Sequence, residues 1–253
     1  MPRLFVYRIK TDSGAAPHIS DGYLTLTICK PEIRKEAKNG EYVLALVART
    51  SNAMKTLKKE KKVAKNDMPF LAAYLFRVGD VIPMEQYDKW CTDHAPHKLC
   101  TEEHFEGNAQ YNKNLKWRPG PHPESFRELD IGGCNSLTSS HFAAWTSTSP
   151  HRLTVEEIEG LGLTEEDIVK RGIGHKIVEM PNTVMAERLI ASKAAPANNK
   201  GSRVKYVPKN KTAKNNGPRG NGSGAGPRGN GSGAGPRGNG SGAGPRGCGS
   251  GAK

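Results

Sequence analysis

Between Thr25 and Leu46 the chain changes its side-chain period twice. "TLTIC" continues an alternation begun at Tyr23, with Leu24, Leu26 and Ile28 on one face and Thr25, Thr27 and Cys29 on the other, as a strand requires. "PEIRKEAKNG" places Ile33 and Ala37 four apart, the narrow apolar stripe of a short helix, and "EYVLAL" returns to a strand. Pro31 suits the first helical position because its missing N–H has no partner there anyway. Asn39-Gly40 offers a left-handed stop. A strand, a short helix and a second strand packed into so few residues set the character of the whole chain.

The rest follows the same mixture. Leu4 to Ile9 is apolar on both faces and predicts an interior strand. Residues 11–22 form a loop by their Gly, Pro, Ser and Asp content. A basic helix or excursion starts at Ser51, then a strand at Phe70 to Val78 and a short helix at Pro83 to Trp90. Residues 91–130, rich in Pro, His, Asn and Gly, predict a long ordered loop. Cys134 to Ser140 leads into "HFAAW". Thr154 with Glu157 makes a capping box, Thr164 starts a helix through Lys170, and a last helix covers Val184 to Lys193. Strands and short helices without regular alternation predict an α+β, barrel-like domain over residues 1–192.

The charge is not evenly spread. Of 38 Lys and Arg, 12 fall after Ser192, where no acidic residue occurs, so residues 1–192 carry 26 basic against 25 acidic side chains. Within the tail, "GPRGNGSGA" starts at Gly217, Gly226, Gly235 and Gly244, with Cys248 replacing the asparagine of the fourth copy. Glycines at 217, 220, 222 and 224 break the every-third-residue rule of a collagen helix. With so few apolar side chains, residues 193–253 are expected to be disordered. The Arg-Gly units at Arg219, Arg228, Arg237 and Arg246 are expected to make non-specific phosphate contacts. The alternative is a solubilising linker.

Five cysteines, at 29, 91, 100, 134 and 248, make no secreted disulfide framework. "MPRLFVYRIK" has too few consecutive apolar residues for a signal-peptide core, and "FLAAYLF" is far short of a membrane span. An intracellular setting, cytoplasmic or nuclear, is expected, with no membrane partner.

Four motifs carry chemistry. The start of the helix after Cys29 could hold an anion, with Lys30 and Arg34 as counter-charges, or be an ordinary helix start with solvated basic side chains. "CTDHAPHKLC" brings Cys91, His94, His97 and Cys100 within ten residues; structural zinc sites usually split their ligands into distant pairs, so no metal is expected. "KTLKKEKK" is a solvated helix face or part of a phosphate-contacting surface. Ser139, His141 and Asp130 are residue types of hydrolysis, but no triad signature frames them.

Taken together, "VYRIKTDSGAAPHISDGYLTLTICKPEIRKEAKNGEYV" resembles the opening of the second of the nucleotide-modification-associated domain families, tied by gene context to phage and bacterial systems that handle modified DNA bases. The matching residues include Tyr7, Gly14, Pro17, Cys29, Lys30, Pro31, Arg34 and Gly40. The likeness runs more thinly through 71–87, Gly107, Tyr111, Asp130, "SLTSSHFAAW" and the "GHK" at 174–176, covering residues 3–180. It departs at Ala15, where the family carries an aromatic, and at "GNAQYN", where Asn108 and Asn112 replace an acid and a histidine.

What the resemblance implies is a PUA- or EVE-like pseudobarrel that binds nucleic acid, chiefly DNA, or a modified nucleotide, without a cofactor. Its binding residues would be Gly14, Pro17, Cys29, Lys30, Pro31, Arg34 and Tyr111. The competing expectation is an enzyme that alters or hydrolyses a nucleotide or base, with His122, Asp130, Ser139 and His175 as candidate catalytic residues. A third is a tether to acidic partners.

Overall fold

The computed structural model describes residues 1–64, 68–169 and 174–192; the repeat tail and its arginines lie outside the described residues. The elements run β1 (Arg3–Ile9), β2 (His18–Ser20), β3 (Tyr23–Leu26), α1 (Pro31–Glu36), β4 (Tyr42–Val47), α2 (Asn52–Lys59), β5 (Leu71–Arg77), β6 (Asp80–Pro83) and α3 (Met84–His94). There follow α4 (Arg127–Ile131), β7 (Asn135–Ser139), β8 (Phe142–Ala144), β9 (His151–Arg152), α5 (Val155–Gly160), α6 (Glu165–Val169), β10 (Lys176–Glu179) and α7 (Val184–Ser192).

Two sheets result. The larger has the order β10-β1-β4-β5-β8, with β9 also paired to β5; the smaller has the order β2-β3-β7-β6. Only β1 and β4 run parallel, in register from Leu4 opposite Tyr42 to Ile9 opposite Val47, and every other pairing of these strands is antiparallel. The fold is α+β with open sheets, and no barrel closes among the described residues.

Side-chain alternation builds the layers. Phe5, Tyr7 and Ile9 of β1 join Val43, Ala45, Leu24, Leu26, Phe76 and Leu137 in a core shared by the two sheets. Leu4 and Val6 face the other way, onto Leu44, Leu46 and Leu75 and the apolar sides of α5, α6 and α7. The all-apolar β1 of the sequence is therefore a strand covered on both faces. Each large side chain fully buried there contributes about 1.5–3 kcal/mol.

Several boundaries differ from the sequence reading for identifiable reasons. The 11–22 loop contains β2, which forms a hairpin with β3. α1 ends at Glu36, and Gly40 at φ +84° serves the turn into β4. α3 extends to His94, and α4 takes up the end of the polar 91–130 stretch, which buried contacts pin. Lys98 is fully buried in it, its ammonium donating to the carbonyls of Tyr23 at 2.9 Å and His18 at 3.2 Å. Burial pushes that ammonium down to about 7. The Thr154 capping box forms, with Glu157 N–H donating to Thr154 Oγ1 at 3.2 Å and Thr154 N–H to Glu157 Oε2 at 2.8 Å.

Candidate active site

The strand–helix corner of the opening stretch is strained. β3 stops at Leu26, and Cys29 and Lys30 both take left-handed backbone, at φ 60° and 47°. Pro31 closes the right-handed helical region to Lys30 but would favour extended backbone there, so the left-handed geometry rests on the contacts around it. Two successive non-glycine residues in this region cost on the order of 1–3 kcal/mol each. The surrounding bonds hold them there.

Asp130, on α4, is the main anchor and is fully buried. Its Oδ1 accepts the Cys29 N–H at 2.8 Å. Its Oδ2 accepts from His122 Nδ1 at 2.8 Å and from the Tyr111 hydroxyl at 3.0 Å. The other ring nitrogen, His122 Nε2, lies 3.2 Å from Cys29 Sγ. A thiol, an imidazole and a buried carboxylate thus stand in line, with Cys29 and His122 half-buried.

The histidine is fixed from behind. Gln110 accepts its backbone N–H at 2.9 Å and donates to its carbonyl at 2.8 Å, and Trp117 Nε1 donates to the same carbonyl at 3.1 Å. Burial works against the imidazolium, but the hydrogen bonds and charges of Asp130 and Cys29 outweigh it and bring His122 up to about 9.

Arg34, which the sequence offered as an anion ligand, is turned inward and fully buried. Its Nε donates to the Cys29 carbonyl at 2.7 Å, Nη1 to the Asn135 carbonyl at 2.7 Å, and Nη2 to the Asp130 carbonyl. Burial lowers it to about 10 against the opposing charges of Asp130 and Cys29. It ties the thiol's corner to the carboxylate's helix. Space for it exists because residue 133 lacks a side chain: a Cβ on Gly133 would run into the Arg34 guanidinium. Gly133→Ala is therefore expected to cost about 1–3 kcal/mol through overpacking, read as a lower midpoint in chemical denaturation. An unchanged midpoint would mean that Arg34 finds another position without loss.

The remaining expected residues fall as follows. Lys30 is half-buried, its ammonium 4.8 Å from the Tyr7 ring centroid and 3.3 Å from the Arg8 carbonyl. Gly14 and Pro17 lie in the loop before β2, and Pro31 opens α1. Tyr111 directs its hydroxyl to Asp130 rather than outward. Ser139 exchanges hydrogen bonds with the backbone of His141, whose ring pairs with Glu187, so neither engages Asp130. His175 precedes the edge strand β10.

Asn108 is buried and bonded to Tyr87 and Thr25 at 3.0 Å, and Asn112 accepts two backbone N–H groups of its own turn. Neither departure from the family pattern touches the Cys29–His122–Asp130 line. Of the "CTDHAPHKLC" residues, Cys91 and Cys100 are buried, His94 stacks on Trp90 and His97 pairs with Asp21. No group of three or more His, Cys, Asp or Glu placed to hold a metal ion occurs among the described residues. No helix of the described residues is long and apolar enough to cross a membrane.

Such an arrangement can perform nucleophilic catalysis: the imidazole takes the thiol proton, and the carboxylate fixes its tautomer and stabilises the imidazolium. The fold and this line of residues define an α+β domain with a cysteine–histidine–aspartate relay at a strand–helix corner. The model of the family described as nucleotide modification associated domain 2 matches residues 1–198, and the chain belongs to that family. Comparison with curated proteins and with solved structures gives no match.

Proposed function

We propose that this domain is an enzyme of base-modification systems that uses Cys29 as a nucleophile on a nucleotide or on a group carried by its base. The observation that carries the reading is the continuous line from Cys29 Sγ through His122 to Asp130, at 3.2 and 2.8 Å. In the first step Sγ, with the proton it shares with His122 held on Nε2, bonds to an electrophilic carbon. His122 then returns that proton to the leaving group as its bond breaks. Water or an acceptor, deprotonated by His122, releases the covalent intermediate and regenerates the thiol. The Cys29 N–H is engaged by Asp130 and does not serve as a donor to the substrate.

Nucleic acid, DNA foremost, is the proposed partner. The cationic arm would supply affinity through phosphates without sequence information, leaving selectivity to the domain. The strand–helix–glycine–strand opening supports kinship with PUA-type pseudobarrels as part of the proposal.

The test is incubation of the full chain with oligonucleotides carrying modified and unmodified bases, followed by mass analysis of the released nucleosides. A changed base or substituent, abolished by Cys29→Ser, supports the enzyme. Retention of every oligonucleotide unchanged, with a modified one bound selectively, would make the domain a binder of modified nucleic acid and overturn the enzyme.

A further inference from the structure

Phe126 and Leu129 stand three residues apart on one side of α4 and its preceding turn, and both are exposed, at 43% and 49%. Their place matters more than their exposure. The Phe126 ring lies 5.1 Å from the His122 ring, centroid to centroid, at an interplanar angle of 49°. The same imidazole faces Cys29 Sγ through Nε2. An exposed apolar ring thus lies beside the imidazole that faces the sulfur, with Leu129 three residues on. Exposed apolar side chains are common, and Phe105 is more exposed still, so it is the contact of Phe126 with the His122 ring that sets this one apart.

Two side chains are far too little for a protein interface, which takes about 800 Å² per partner. They suit one planar ring. Resting on the proposed nucleophilic role of Cys29, we infer that Phe126, flanked by Leu129, is the stacking platform that holds the substrate's nucleobase at the mouth of the site. An aromatic face accepts any base, because every base has a π-face. The platform therefore positions the nucleotide while groups nearer Cys29 select what reacts. Asp130, at the inner end of α4, orients His122, so one short helix carries both the orienting carboxylate and the base platform.

The test uses the full chain and the four deoxynucleoside 5′-monophosphates, with deoxyribose 5-phosphate as the baseless control. Alkylation of Cys29 by iodoacetamide is followed by peptide mass analysis, and protection is expressed within each variant as the ratio of rates without and with nucleotide. At nucleotide concentrations that saturate the wild type, protection is expected to be about tenfold. At the same concentrations it is expected to fall below about twofold in Phe126→Ala and to return in Phe126→Trp. The Phe126→Trp variant also reads binding without the thiol: its added indole fluorescence should be quenched by mononucleotides and not by deoxyribose 5-phosphate.

Equal protection by deoxyribose 5-phosphate, equal protection in Phe126→Ala, or an added indole emission indifferent to nucleotides would each overturn the platform. If the thiol reacts no faster than a free one while the fluorescence is quenched, the catalytic reading fails and the platform stands.

Discussion

Asp130→Asn is expected to slow alkylation of Cys29 at neutral pH about a hundredfold and to shift the His122 titration downward. The carboxylate accepts from His122 Nδ1 and stabilises the imidazolium, which holds the proton shared with the thiol on Nε2. An amide that donates to Nδ1 instead reverses the tautomer, presents N–H to the sulfur and removes the base. The substitution also has a pH signature in stability. His122 reaches about 9 in the folded protein, above its ordinary 6.5, so its contribution is complete below pH 6.5 and is lost as pH rises through about 9. The Asp130→Asn protein should therefore be less stable than the wild type by about 2 kcal/mol near pH 6, the partial exposure of His122 being allowed for. That part of the difference should shrink toward pH 10. Denaturant midpoints at several pH values and the NMR titration of His122 measure both. A gap that widens with pH would have the wrong sign for this site.

Removing residues 193–253 should flatten the salt dependence of DNA binding. That segment holds 12 of the 38 basic residues and no acid, leaving a domain of formal charge +1. If the arm meets about five to eight phosphates, the slope of log affinity against log salt should fall in magnitude by roughly four to seven units. Discrimination between bases should survive, because phosphate contacts position and do not specify. Binding isotherms of the full and shortened chains at three or four salt concentrations decide it. Equal slopes would make the arm a linker.

The sequence and the structure agree where periodicity governs. β1 and β4 were legible because alternate residues serve two different apolar layers, and the Thr154 and Glu157 pair announced its own cap. Asp130 and His122 were visible as residue types, yet the sequence set Asp130 beside Ser139 and His141. Cys29 and His122 are 93 residues apart, and the strand alternation read through Cys29 ends at Leu26, so no pattern joined them. The one available signal was local: Pro31 denies Lys30 a helical backbone, which makes the residues before it a sharp corner with a cysteine on it. Arg34 misled for a physical reason. A basic residue near a helix start reads as exposed, and only the space at Gly133 and three converging carbonyls reveal a buried tie.

Site-resolved alkylation of the wild-type chain at pH 7 tests the central claim most directly. Burial pushes Cys91 and Cys100 up to about 12 and closes them to reagent, whereas Cys29 is half-exposed against His122. The expected result is adduct formation on Cys29 about a hundredfold faster than on either buried thiol, and faster than on free glutathione under the same conditions. A Cys29 that reacts no faster than glutathione would contradict the account.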